Sequence, residues 1–215
     1  MKLIRGMVLL LAVCLPTTWT LAHADEGAAG SGGLVERERL RDLDLRAQGH
    51  EPLEADDADV AGAVAGADAV VFAAGAGPGS GAERKRTMDY GGAVKLIEAA
   101  KAAGISRYAI VSSMGADHPE QASGDFRVYL QAKADADEAL RASGLDYTIV
   151  RPGGLTDDPG TGQVDVAERL GRRGSIPRDD VAAVLAEVLD APNTIGKTFE
   201  VLSGSTPVRN AIRAL

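Results

Sequence analysis

The sequence predicts an α/β fold in which a doubly wound parallel sheet carries helices on both faces. From Leu34 onward, short apolar stretches alternate with amphipathic stretches of helical period, which is typical of parallel strands joined by helices. Residues 69–74, AVVFAA, are apolar on both faces, as a central strand of such a sheet must be. The 215 residues, 45% of them hydrophobic, match one domain with one substantial core.

Helices are predicted where apolar residues recur every three or four positions, and strands where short apolar runs lie between turns. The predicted helices are residues 36–47, 60–65, 92–103, 126–142 and 179–189, and the predicted strands are residues 51–55, 69–74, 108–112, 147–151, 163–166 and 198–202. Gly104, directly after one of these helices, suits a left-handed C-cap. Together these elements make residues 34–215 one domain.

Composition and charge exclude several classes of function. The net charge of −8 and the isoelectric point near 4.9 repel phosphates, so we expect no nucleic-acid partner. Cys14 is the single cysteine, which rules out an internal disulfide and a cysteine-based metal site. The three histidines lie far apart and lack the spacing of metal ligands, so we expect no metal.

Residues 1–33 differ in character from the rest of the chain. Basic Lys2 and Arg5 precede an apolar run over residues 7–15, and small residues before Asp25 resemble a cleavage site, which is the pattern of a secretory signal peptide. The run is interrupted at Pro16 and is too short for a stable membrane span. Residues 27–33, GAAGSGG, have the composition of a flexible linker. On this interpretation the protein is exported.

The residues that follow each predicted strand carry the functional information, because ligands of open parallel sheets bind beyond the carboxyl ends of the strands. Asp56 follows the first predicted strand, where its carboxylate can accept a hydrogen bond from an adenine amino group. A solvated acid in a turn is the alternative. Ala74 and Gly75 end the stretch AVVFAAG, and their small size lets a ribose or pyrophosphate approach the backbone.

Two serines and a Tyr-x-x-x-Lys pair form the most reactive combination. Ser112 and Ser113 end the strand 108–112, and Tyr129 and Lys133 follow one helical turn apart on the next helix. A lysine ammonium beside a phenol favours the phenolate, so the phenol can give or take the proton that accompanies hydride transfer. A serine hydroxyl can bind the substrate oxygen, and the lysine can also hold ribose hydroxyls.

A fourth group of residues follows the strand 147–151. Arg151, Pro152, Gly153 and Gly154 come at its end. The proline fixes the chain as it leaves the sheet, and the glycines leave room beside the backbone, as a nicotinamide ring requires. A structural turn is the alternative.

Four segments of the chain resemble the atypical short-chain dehydrogenase/reductases of the NAD(P)H-binding, NmrA-like type. They are DAVVFAAGAG, TMDYGGAVKLIEAAKAAGISRYAIVSSMGADHP, YLQAKADADEALRASGLDYTIVRPGGL and SIPRDDVAAVLAEVL. The resemblance runs from about Leu34 to Leu202, and SGLDYTIVRPGGL is its most specific part. It implies a Rossmann-like fold, an NAD or NADP cofactor, a small-molecule substrate and a cytoplasmic location.

The resemblance also implies a role for each candidate residue. The cofactor-binding residues are then Asp56, Ala74, Gly75, Ser112, Lys133, Arg151, Pro152, Gly153 and Gly154, and the reactive residues are Ser113, Tyr129 and Lys133. One departure concerns the first βαβ unit, with its glycine-rich loop, which is missing or altered here because residues 1–33 stand in its place. Without that loop much of the attraction for a pyrophosphate is absent.

Three functions are consistent with these residues. The first is an NAD(P)-dependent oxidoreductase or epimerase-like enzyme, with Tyr129 as proton donor, Lys133 as its electrostatic partner and Ser113 as substrate anchor. The second is a non-catalytic NAD(P)-binding regulator or sensor, and the third is an inactive remnant unable to bind the cofactor. The choice between NAD and NADP stays open, because Glu36 favours a free ribose hydroxyl and Arg37 a 2′-phosphate.

The length of the anomalous segment leads to a prediction about the gene. Residues 1–33 occupy the span of the missing strand, loop, helix and strand, so we expect them to be a frame-shifted reading of that unit. Residues 5–13, back-translated with G or C at third codon positions and read two nucleotides later, give GHGAAAGRV, a dinucleotide-type glycine loop. Sequencing the gene from an independent isolate is expected to show a base change near codon 5 and another before codon 34. An uninterrupted frame, with an exported protein beginning at Asp25, would contradict the prediction.

Overall fold

A computed structural model describes residues 7–10, 21–22, 60–77 and 79–215. The strands of this part of the chain are β1 Met7–Leu10, β2 Leu21–Ala22, β3 Ala69–Phe72, β4 Arg107–Val111, β5 Asp146–Pro152, β6 Gly154–Thr156, β7 Gln163–Ala167, β8 Ser175–Pro177, β9 Lys197–Ser203 and β10 Thr206–Pro207. The helices are α1 Ala61–Val64, α2 Gly81–Lys85, α3 Ala93–Ala102, α4 Gly124–Ala142, α5 Arg178–Leu189 and α6 Val208–Arg213. A π-helical stretch, Arg86–Gly92, joins α2 to α3.

The main sheet is mostly parallel, in agreement with the predicted α/β class. Its described strands follow the order β10-β7-β9-β5-β4-β3-β1-β2. Neighbours from β1 through β3, β4 and β5 to β9 are parallel, whereas β2, β7 and β10 add antiparallel edges. A second, two-stranded parallel sheet pairs β6 with β8. The consecutive parallel strands bring the ends of β3, β4 and β5 to one edge of the sheet.

The core lies in two layers, one on each face of the main sheet. Val71 of β3 belongs to the layer that includes Val184 of α5. Its neighbour Phe72 belongs to the other layer, with Leu96 of α3 and Leu140 of α4. Successive strand residues point to opposite faces, and here both faces are covered, so the strand must be apolar throughout.

The strand β1 occupies the place beside β3 that the first strand of the predicted fold would fill. Its four residues, Met7–Leu10, pair in parallel register with Ala69–Phe72. The sequence analysis assigned these residues to the apolar run of a signal peptide. Export by such a signal stays a prediction. Among the described residues, no helix has the length and apolar character needed to cross a membrane.

Most predicted elements within the described residues have a counterpart, with ends that differ by a few residues. The helix over α2 and the π-helical stretch was not predicted, because its buried side chains include Lys85 and Asp89, which a hydrophobic pattern counts as exposed. The short strands β6 and β8 were also missed, since three-residue strands carry little periodicity. The predicted helix 36–47 and strand 51–55 lie outside the described residues.

A buried arginine holds the amino-terminal ends of β4 and β5 together. Arg107 donates to the carbonyl oxygens of Asp146 and Val188, each at 2.7 Å, and to the hydroxyls of Thr148 and Thr194 at 2.9 and 3.1 Å. Burial lowers the pKa of Arg107 to about 10, and the nearby Asp146 acts in the opposite direction. The guanidinium therefore stays charged at neutral pH, and its hydrogen bonds link two strands to the end of α5.

Replacing this arginine with a side chain of similar volume should destabilise the fold. We expect Arg107→Met to lower the free energy of unfolding by about 3 kcal/mol, because several buried oxygen atoms lose their donor. Urea denaturation measures the change. Arg127→Met, at an exposed position of α4, is the control and should change it by less than about 0.5 kcal/mol. Equal losses in the two variants would contradict the assignment.

Candidate active site

A cleft of about 830 Å³ opens at the carboxyl ends of β4 and β5. Five of the sequence-predicted site residues line it: Ser113, Tyr129, Pro152, Gly153 and Gly154. The volume lies within the range of small-molecule and cofactor sites in proteins, about 300–1,000 Å³. The structure thus brings together residues from two strand ends and one helix that are far apart in the sequence.

Hydrogen bonding to β5 continues past the end of β4 and positions Ser113. The Ser112 amide donates to the Val150 carbonyl at 2.8 Å, and the Met114 amide donates to the Pro152 carbonyl at 3.0 Å. Ser113, between these two bonds, is held beside the chain that leaves β5. Its hydroxyl donates to the Met114 carbonyl at 3.2 Å. A long local hydrogen bond of this kind can be exchanged for one to a ligand.

Tyr129 lies on the cleft side of α4. It is half-buried, and its ring stacks on Phe126 with 5.9 Å between ring centroids and an interplanar angle of 21°. Lys133 follows one turn later, and its Nζ lies 5.8 Å from the centroid of the Tyr129 ring. The predicted pair therefore shares one helix face, with the tyrosine at the cleft and the lysine beneath it.

The Lys133 ammonium is buried and binds protein atoms from two neighbouring strand ends. The residue is 3% exposed. Its Nζ donates to the carbonyl oxygens of Ala74 and Val111, each at 3.1 Å, and lies 3.3 Å from Oδ1 of Asp89. The two carbonyl oxygens take two of its three N–H groups, and the Asp89 carboxylate is its ion-pair partner. Lys133 thus joins the loop that follows β3 to the end of β4.

Asp89 is a site residue that sequence reasoning missed. Its carboxylate is fully buried, and Oδ2 accepts a hydrogen bond from the Ala76 amide at 3.2 Å. A Cβ atom at Gly75 would lie 3.1 Å from Oδ1, so the glycine leaves room for this carboxylate. The sequence predicted that Gly75 and Ala74 let a ligand approach the backbone. The structure adds a second explanation for the glycine, namely its close contact with the Asp89 carboxylate. The sequence signal that could have identified Asp89 is its position between two apolar residues, Met88 and Tyr90.

A second buried acid, Asp137, takes the side chains of Ser112 and Arg151. The Ser112 hydroxyl donates to Oδ2 of Asp137 at 2.9 Å, and Nε and Nη2 of Arg151 donate to the same atom at 3.1 and 2.9 Å. Neither Ser112 nor Arg151 lines the cleft of Ser113 and Tyr129. Burial raises the pKa of Asp137, and the interactions with Arg151 and Ser112 act in the opposite direction.

Gly153 is required for close packing. A Cβ atom there would overlap the side chain of Leu202 and the carbonyl oxygen of Gly174. That carbonyl also accepts a hydrogen bond from the Gly154 amide at 3.0 Å. Gly153 and Gly154 were expected to leave room for a nicotinamide ring. They also hold the loop at Gly174 against the end of β5. The remaining predicted site residue, Asp56, lies outside the described residues.

Residues 34–192 match the model of a protein family described as NAD(P)H-binding. The chain belongs to this family. The match confirms the predicted resemblance and the expected cofactor, NAD or NADP, and it begins at the residue where the regular alternation of strands and helices begins.

Relatives and solved structures agree with this assignment. The chain is 44% identical to an uncharacterized sugar epimerase of Bacillus subtilis, over 76% of each chain. Among solved structures it is similar to an NAD-dependent epimerase/dehydratase, so described, from Bacillus halodurans, at 46% identity over 76% of each chain with a TM-score of 0.73. It is also similar to an anaerobillin reductase from Escherichia coli O157:H7, at 30% identity over 67% of this chain and 69% of the other, with a TM-score of 0.55. These likenesses confirm the Rossmann-like fold.

The raised pKa of Asp137 predicts a pH dependence of stability. A carboxyl group whose pKa is higher in the folded chain stabilises the fold below its unfolded value, and this contribution is lost as the pH rises through the folded value. We therefore expect Asp137→Asn, which does not ionise, to gain free energy of unfolding relative to the wild type as the pH rises above 3.8, the ordinary value of the group.

Urea denaturation at a series of pH values measures this difference. Asp135→Asn, at an exposed position of the same helix, is the matched control, and its difference from the wild type should stay nearly constant. A constant difference for Asp137→Asn as well would contradict the prediction.

Proposed function

We propose that the chain is an NAD(P)-dependent oxidoreductase or epimerase-like enzyme in which Tyr129 transfers the proton and Ser113 binds the reacting oxygen. One observation carries the proposal. The hydroxyls of Ser113 and Tyr129 belong to one cleft, and the Lys133 ammonium lies beneath the Tyr129 ring. Two hydroxyls and a buried cation next to one ligand-sized space are the groups that reversible reduction of a carbonyl requires.

Each residue has a distinct part in this mechanism. The Ser113 hydroxyl donates a hydrogen bond to the carbonyl oxygen of the substrate and fixes its position. The Tyr129 phenol gives its proton to that oxygen during reduction and takes a proton from the alcohol during oxidation. The Lys133 charge, 5.8 Å from the centroid of the Tyr129 ring, acts through space on negative charge that develops at the phenol oxygen during the reaction.

The described residues fit the nicotinamide end of the cofactor. The loop after β3, residues 73–77, contains only alanine and glycine, and Pro152 and Gly154 border the cleft after β5. A Cβ atom at Gly154 would have no neighbour closer than 3.7 Å, so the backbone there is open to a ligand. Bound NAD or NADP supplies or accepts the hydride. The residues that follow β1, where this fold holds the pyrophosphate, lie outside the described residues.

A nucleotide-binding regulator without catalysis is the second candidate. The observation that favours it is the buried position of Lys133, whose ammonium donates to two backbone carbonyls and forms an ion pair with Asp89. A lysine held in this way supports the fold even where no reaction takes place. The two candidates differ in what the Tyr129 hydroxyl does, because only the enzyme needs its proton.

Removing that hydroxyl separates the two functions. We first titrate the protein with NADH and NADPH by fluorescence, and then screen carbonyl compounds and nucleotide sugars for consumption of the cofactor or epimerisation. For any substrate found, Tyr129→Phe should lower kcat at least about 100-fold, because the proton donor is lost. The dissociation constants of NADH and NADPH should stay within about twofold, because the ring and its stacking on Phe126 remain.

Tyr90→Phe, at an exposed tyrosine that lines no part of the cleft, is the control and should retain full turnover. Unchanged turnover in Tyr129→Phe would overturn the role of this hydroxyl. Tight binding of cofactor with no turnover of any screened compound would favour the regulator.

A further inference from the structure

An arginine-rich loop forms one wall of the candidate active-site cleft. Residues 168–174 read ERLGRRG, and Arg169, Arg172 and Arg173 all line the cleft. The chain as a whole is acidic, with a net charge of −8. Three guanidinium groups therefore lie along one wall of this cleft, which the carboxylates of Asp117 and Glu200 also line.

The loop is fixed to the strands that form the base of the cleft. The Leu170 amide donates to Oε2 of the buried Glu200 at 2.7 Å, and the Gly174 carbonyl accepts from the Gly154 amide at 3.0 Å. Gly153 packs directly on Gly174, as described above. The loop is thus anchored near both ends, so the cationic wall is built into the fold.

Among the described residues, two of the three arginines of the loop form ion pairs and the third does not. Arg169 pairs with Asp117 at 2.6 Å, and Arg172 pairs with Asp165 at 2.6 Å. Within the part of the chain that the structure describes, Arg173 meets no carboxylate within ion-pair distance and makes no side-chain hydrogen bond. A guanidinium is always charged at neutral pH and presents several N–H donors in a planar fork that matches a carboxylate or phosphate.

Apolar side chains stand in the same cleft. Phe126 is 58% exposed and Leu155 is 39% exposed, and both line the cleft beside the reactive hydroxyls. Exposed large apolar side chains in a concave site are typical of a binding surface for an apolar ligand body. The cleft thus combines an apolar surface, two hydroxyls and the guanidinium of Arg173.

We infer that the substrate is an apolar molecule carrying an oxyanion, a carboxylate or a phosphate, and that Arg173 binds this group, with Arg172 beside it. The inference rests on the proposed function, since it names the class of substrate for the same cleft. The apolar body packs on Phe126 and Leu155, and the reacting oxygen meets Ser113 and Tyr129. The same guanidinium chemistry would suit the 2′-phosphate of NADP, and the test must separate these two sources of the oxyanion.

Phenyl phosphate and its uncharged counterpart benzyl alcohol are suitable probes, because both carry the ring and only one carries the oxyanion. Isothermal titration calorimetry is run with and without saturating NADH. We expect the wild type to bind phenyl phosphate at least about tenfold more tightly than benzyl alcohol, with an affinity that falls as salt is added. Arg173→Gln should remove most of this preference, and Arg173→Lys, which keeps the charge, should retain part of it.

Arg213→Gln is the matched control, since Arg213 is exposed on α6 and lines no part of the cleft; it should leave the affinity unchanged. Absence of phenyl phosphate binding with and without NADH, or equal binding by Arg173→Gln and the wild type, would overturn the inference. So would a loss of NADPH affinity in Arg173→Gln without a loss of NADH affinity, because the oxyanion would then belong to the cofactor.

The test of the oxyanion site is independent of the catalytic role proposed for Tyr129. If Tyr129→Phe retains turnover while Arg173→Gln weakens phenyl phosphate binding, the proposed role of Tyr129 fails and the oxyanion site stands. If Tyr129→Phe loses turnover while Arg173→Gln binds phenyl phosphate as the wild type does, the enzyme stands and the oxyanion site fails.

Discussion

The carboxyl edge of the sheet depends on one buried ammonium group. Lys133 reaches from α4 to the carbonyl oxygens of Ala74 and Val111 and to the carboxylate of Asp89, which in turn holds the Ala76 amide. Removing the ammonium would leave two carbonyl oxygens and a buried carboxylate without their partner, and such losses cost more than an exposed ion pair is worth. The loop after β3 and the end of β4 therefore owe their positions to a charge. The same charge lies beneath the ring of Tyr129, so the interaction that shapes the edge also sets the electrostatics of the cleft.

The helix α4 presents a polar side chain to the strand ends at three successive turns. Tyr129, Lys133 and Asp137 are spaced four residues apart and lie on one face of the helix. The first lines the cleft, the second meets the ends of β3 and β4, and the third holds Ser112 and Arg151 at the ends of β4 and β5. A single rigid element thus aligns the proposed proton donor with the strand ends around it. The buried polar partners make that alignment specific, because a shift of the helix would leave charged groups unpaired in the core.

The sequence predicted those parts of the fold and of the site that leave a hydrophobic or positional pattern, and it missed those that depend on tertiary packing. The strands β3 and β4 were predicted because both of their faces are buried, which makes their residues apolar without interruption. Ser113, Tyr129 and Gly154 were predicted from their positions after strands or on the following helix, and the topology brings them into one cleft. Asp89 and Asp137 were missed as buried partners because hydrophobic periodicity places polar residues in solvent, and only tertiary packing decides otherwise. The arginine loop was missed for a related reason. Charged residues on a loop are expected to lie in solvent, and only the structure shows that the backbone of this loop is fixed beside the cleft.

In the proposed function, the groups that react are separate from the groups that recognise the substrate. Ser113 lies between two backbone hydrogen bonds that join the end of β4 to β5, and Tyr129 stacks on Phe126 of the same long helix. Arg172 and Arg173 are carried by a loop whose backbone is anchored through Leu170 and Gly174. Binding energy from a remote anionic group orients the reacting oxygen without taking part in the chemical step. Because the anchors are backbone groups, the arginine side chains can change without disturbing the bonds that set the reactive hydroxyls. A fold built in this way can keep one reaction and alter the molecule on which it acts.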